Sequence, residues 1–67
     1  MPRHPAVEAI LRFFAYDHLP PPQRVISKRF ADLADQLVAD PDLDGAELTV
    51  ALRKLLESKD AAVRASL

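Results

Sequence analysis

The chain has no cysteine, one glycine and no long uninterrupted apolar run, and its positive and negative charges nearly cancel. Without cysteine no disulfide can staple the fold, and the two histidines, His4 and His18, lack the partners of a structural zinc site. A lone glycine, Gly45, rules out a glycine-rich phosphate loop. The lack of an apolar stretch of roughly 18 residues argues against a membrane span. Arg3, His4 and Glu8 interleave at the N-terminus where a signal peptide would be apolar, so a cytoplasmic protein is expected. A formal net charge of −1 argues against broad binding to DNA, because that affinity comes from neutralising several phosphates at once. It leaves room for a local basic pocket.

What is present is the composition of a folding domain: 49% hydrophobic and 28% charged residues, a globular rather than a disordered balance. At 67 residues the chain reads as one domain, 1–67, able to remove only about 60% of its unfolded surface from water. With no disulfide or zinc to help, self-association is the remaining remedy for a thin core.

Proline and glycine divide the sequence into three helical pieces, and no segment has the alternation of a strand. Pro5 suits a first helical turn, and Val7, Ile10, Leu11, Phe13 and Phe14 follow at helical spacing. Pro20, Pro21 and Pro22 then halt that helix near Tyr16, so a helix over roughly 5–16 is predicted. Pro22 opens a second over 22–39, with Ile26, Phe30, Leu33 and Leu37 as its apolar stripe. After the acidic turn at Asp40, Pro41, Asp42 and Asp44, a third helix over 45–66 carries Leu48, Leu52, Leu55, Leu56 and Val63. Asp44 and Glu47 have the spacing of a capping box, and Arg53 with Glu57 and Asp60 with Arg64 that of i,i+4 ion pairs. The expected architecture is all-α, a short N-terminal helix plus an antiparallel two-helix hairpin that assembles as a homo-oligomer. Ile26, Phe30, Leu33 and Leu37 would face the third helix, leaving Phe13, Phe14, Val25, Val38 and Leu56 for contacts between chains.

No catalytic constellation is visible. Ser27, Thr49, Ser58, Ser66 and Tyr16 supply the hydroxyls, and none lies beside an evident base and acid, so no enzyme activity is expected. His18 beside Asp17 suggests a metal or a proton shuttle, but an isolated histidine before a proline run is more often a loop residue; no metal and no cofactor is assigned. The basic residues cluster instead. Arg24, Lys28 and Arg29 lie early in the second helix, and Lys54, Lys59 and Arg64 run through the third; antiparallel pairing brings Lys28 and Arg64 to one end, within reach of Tyr16 and Phe14. An aromatic ring beside cations suits a nucleotide, since stacking on a base adds about 1–3 kcal/mol and a cation pairs with phosphate. A solvated charged face with a core tyrosine would have the same sequence pattern.

The run Phe14-Ala15-Tyr16-Asp17-His18-Leu19, then Gln23, Arg29, Leu33 and Ala34, then the segment from Ala51 to Ala65, resembles the small phage hairpin proteins of the anti-CBASS and anti-Thoeris sponge family. The likeness covers about residues 13 to 66. It implies a homohexameric protein of the infected bacterial cytoplasm that sequesters cyclic oligonucleotide second messengers without cleaving them. Cyclic dinucleotides such as cyclic GMP-AMP would sit between protomers, and cyclic trinucleotides where three protomers meet. Tyr16 matches the family's base-stacking tyrosine, Lys28 best matches its phosphate-binding lysine, and Arg64 matches an arginine of the trinucleotide pocket. The linker between Tyr16 and Lys28 is shorter here, which keeps Arg29 as a rival to Lys28. His18 and Arg24 complete the candidate ligand set. Two rivals of another class remain: a helical protein-interaction module without a nucleotide ligand, and a small DNA-binding or antitoxin-like protein, which the Glu57 and Asp60 charges on the third helix disfavour.

Overall fold

A histidine and a proline start the first helix. In the computed structural model, which describes residues 4–67, helix α1 runs Pro5–Leu11; the first three residues of the expected 1–67 domain lie outside the described residues. The His4 Nδ1 accepts a hydrogen bond from the Ala6 N–H at 3.1 Å, satisfying one of the free donors of the first turn. The helix ends sooner than the 5–16 expected: the chain tightens into a 3-10 turn at Arg12–Phe14 and becomes extended at Ala15. That tightening turns Phe14 inward, to 3% exposure, and leaves Phe13 64% exposed. Phe14 is thus a core residue and not the surplus contact surface expected, whereas Phe13 is open.

The three prolines act at the next boundary. Pro20 is extended, Pro21 and Pro22 fill the first turn of α2, and the helix runs Pro21–Ala39. A turn then reverses the chain: Asp40 Oδ1 accepts from the Asp42 N–H at 2.9 Å and the Asp40 carbonyl from the Leu43 N–H at 3.2 Å. Helix α3 follows at Gly45–Ala65. Asp44 sits at its N-cap but makes no side-chain capping bond, so the expected capping box does not form. Gly45, with φ +74°, enters α3 from the left-handed region, and the entry geometry differs from that of a capped first turn.

Helix α3 is the hub, packed on one side by α2 and on the other by α1, and the 3-10 turn closes against α2. Leu52 is fully buried at its centre, among Val7, Phe14, Ala31 and Ala34. The facing of α2 differs from the expected one. Its buried positions are Ser27, Ala31 and Ala34, spaced four and three apart. Helical positions advance by about 100° each, which puts this small-residue line roughly a quarter turn away from the Ile26, Phe30, Leu33, Leu37 stripe. Small side chains let two helix backbones approach closely, and the larger stripe is displaced to the flank. Phe30 and Leu37 stay half-buried against the core, as do Val38 and Leu56, while Leu33 is 42% exposed.

The ion pairs also differ. Asp60 bonds Lys59 at 3.0 Å rather than Arg64, the expected Arg53–Glu57 pair does not close, and the short pair on α2 is Lys28 with Asp32 at 2.7 Å. Among the described residues there is no strand, and no helix is long and apolar enough to cross a membrane.

Candidate ligand-binding end of the hairpin

The linker between α1 and α2 builds one end of the molecule. Its centre is a turn in which the Leu19 N–H donates to the Tyr16 carbonyl at 3.1 Å, leaving Asp17 and His18 at the tip. Arg24, one turn into α2, clamps this linker: its Nε and Nη2 both donate to the Leu19 carbonyl, at 3.2 and 3.1 Å. The Arg24 fork is therefore engaged in holding the loop.

Two groupings of candidate residues result. In the first, Tyr16 packs partly against the core and lies close enough to Lys28 to act on its charge. The Lys28 pKa is raised above its ordinary 10.5 chiefly by the hydrogen bond to Asp32, then by that carboxylate's charge, with slight desolvation opposing and the Tyr16 phenol adding a little. Lys28 is exposed, half its side chain open to solvent, and already paired. Arg29, its neighbour, is exposed too. A ligand phosphate would have to share Lys28 with Asp32.

The second grouping is a cavity of about 400 Å³ between the 3-10 turn, the linker and the last turns of α3. His18 and Arg64 line it together with Arg12, Phe13, Lys59 and Asp60. Of the six sequence candidates, the structure thus brings His18 and Arg64 into one cavity, sets Tyr16 beside Lys28 outside its lining, and leaves Arg24 and Arg29 at separate tasks or positions. Arg12, Phe13 and Lys59 also line the cavity and were not among the candidates. Arg12 and Phe13 are brought to the cavity by the early 3-10 turn, which periodicity does not reveal. Lys59 had a legible signal: it falls four residues after Leu55, seven after Leu52 and four before Val63, in the register of the inward stripe.

The cavity is cationic. Three permanent positive charges face one carboxylate, a local surplus of two in a chain whose net charge is −1. Among the described residues no group of three histidine, cysteine or acidic side chains is arranged to hold a metal ion. At the opposite end, a wider groove of about 990 Å³ runs between α1, the end of α2 and the start of α3, with Val7, Val38, Leu43 and Leu48 in its wall. Comparison of the chain with models of known protein families, with curated proteins and with solved structures finds no match.

Proposed function

We propose that the protein is a phage-type immune-evasion factor that binds and sequesters cyclic oligonucleotide second messengers, cyclic dinucleotides such as cyclic GMP-AMP and also cyclic trinucleotides, in the cytoplasm of an infected bacterium. The observation that supports it is the single linker turn that carries Tyr16 beside Lys28 and His18 into a cavity with Arg64. Aromatic and cationic groups thus share one end of the molecule, the combination that a base and its phosphate require. Sequestration asks for affinity alone, and no acid–base pair is needed for it.

Assembly belongs to the same reading. The flank of α2 offers Leu33 and the half-buried Ile26, Phe30 and Leu37, with Val25 58% exposed nearby, as a seam for further copies. The resemblance to the sponge family makes a homohexamer the expected state, in which symmetry repeats one tyrosine and one lysine across a pocket. Calorimetric titration with a panel of cyclic di- and trinucleotides tests the function: binding with the ligand recovered intact is the expected result, and no heat at micromolar protein would remove the reading. A second reading, a helical protein-interaction module, is favoured by the apolar groove at the other end. Tyr16→Ala with Lys28→Ala separates the two, since a sponge loses ligand while its assembly persists.

A further inference from the structure

Lys59 occupies a place in α3 where an aliphatic residue would normally sit. The inward register of the helix runs Leu48, Leu52, Leu55 and Leu56, then Lys59, then Val63. Its side chain is only 13% exposed. A lysine on an apolar face usually lays its stem along the surface and carries its ammonium out to water. This one lines the cavity. There it has one protein partner, Asp60 at 3.0 Å, and Asp60 is the next residue in the chain. Neighbouring helical residues do not face each other, yet both members of this pair line the cavity. An ammonium has three donors, which leaves Lys59 with hydrogen-bonding capacity unused by the protein.

The surroundings match an anion. Arg12 and Arg64 line the same cavity, and neither guanidinium has a hydrogen bond or ion pair to another described side chain. Three cations around one carboxylate leave a local positive surplus, with Lys59 largely buried and the two guanidinium groups open to solvent. An anionic phosphate would offset that surplus and accept from all three. Phe13 stands at the rim, 64% exposed, where a flat base could stack on it. The volume, about 400 Å³, falls in the range of roughly 300–1,000 Å³ in which small-molecule sites occur.

We infer that this cavity is a nucleotide-phosphate site complete within one chain, with Lys59 as its anchoring cation, Arg12 and Arg64 as phosphate partners and Phe13 as the stacking surface. The choice of a nucleotide rests on the function proposed above; the placement does not. It differs from the Tyr16–Lys28 arrangement in needing no second copy.

The test uses two probes, AMP and cyclic GMP-AMP, titrated calorimetrically against the full chain and against Lys59→Gln, Arg64→Gln and Phe13→Ala, with Lys54→Gln, an exposed cation of α3 outside the cavity, as control. AMP is expected to bind with one site per chain, to weaken by about tenfold or more in Lys59→Gln and in Arg64→Gln, as loss of a charge-assisted contact requires, and to bind Lys54→Gln as it binds the parent. Arg64 is exposed, so its variant keeps the test valid if Lys59→Gln unfolds by circular dichroism. AMP held equally by the parent and by both cation variants overturns this site, and cyclic GMP-AMP bound by the parent then leaves the sponge reading standing. AMP bound and then lost in the variants, with no cyclic ligand bound, supports the site and overturns the sponge. Failure of both probes to bind overturns both.

Discussion

At the scale of single residues, Ser27, Gly45 and Lys28 each carry a measurable consequence. The Ser27 hydroxyl is fully buried and makes no hydrogen bond, and the Gln23 amide oxygen one turn earlier is likewise unpartnered. A buried donor or acceptor left unsatisfied costs about 1–3 kcal/mol, whereas replacing it with an apolar atom of similar size does not. Ser27→Ala, which keeps the close approach that small residues give, is expected to raise the unfolding free energy by about 1 kcal/mol, visible as a higher urea midpoint with unchanged slope. A lower midpoint would mean that the hydroxyl has a partner in solution. Gly45 has the opposite sensitivity. Space around it is open, but its φ of +74° belongs to the left-handed region, so Gly45→Ala should lower stability by about 1–2 kcal/mol through backbone strain alone. Lys28 adds a pH dependence of definite sign. Its pKa is raised in the folded chain, so the Lys28–Asp32 pair contributes below the ordinary 10.5 and its contribution is lost as pH rises through the higher folded value. Alkaline titration of the folded chain followed by NMR of the Lys28 side chain reads this directly.

Among the elements, the linker from Ala15 to Pro20 depends most on one contact. Arg24 holds it by a fork onto the Leu19 carbonyl, and that loop positions both Tyr16 and His18. Arg24→Ala should cost about 1–1.5 kcal/mol and speed amide exchange at Leu19, with helix content by circular dichroism almost unchanged. Unaltered exchange would show that the prolines alone fix the linker. These elements were legible to different depths. The expected helix limits of 22–39 and 45–66 fall within a residue of the observed 21–39 and 45–65 because proline and glycine act locally, on the residues beside them. The facing of α2 could not, because a hydrophobicity pattern ranks Ile26, Phe30, Leu33 and Leu37 above Ser27 and Ala31. Close helix approach rewards small size, a property of the pair and not of either helix. The 3-10 turn that swings Phe14 in and Phe13 out was hidden for a related reason: both are phenylalanines in one periodic run, and tertiary packing chooses between them. The basic end was legible as a cluster, but the partners were not. Lys28 is engaged by Asp32, Arg24 by a carbonyl, and Lys59, whose register was the available clue, lines the cavity with Arg12 and Arg64.

On the scale of the whole molecule, three helices form a rod of 36 × 18 × 17 Å, too slender to enclose both faces of α2. One face closes on α3, and the flank bearing Leu33 does not. Burying a large aliphatic side chain contributes about 1.5–3 kcal/mol, so a seam formed by Leu33 and the remaining exposed parts of Ile26, Phe30 and Leu37 would be repeated to advantage in a symmetric assembly. A charge placed at the middle of that seam should oppose association and leave the chain's own core alone, because Leu33 makes little of it. Leu33→Glu is therefore expected to reduce the native mass from an oligomer to a single chain at micromolar concentration, with the helical circular dichroism retained. The same variant separates the two proposed ligand sites. A pocket shared between protomers disappears with the assembly, so the affinity for cyclic GMP-AMP should fall steeply, while a cavity built by Arg12, Lys59 and Arg64 within one chain should still take AMP. If the parent chain itself has the mass of a monomer, the shared pocket is not formed, and only the second of these outcomes can be observed.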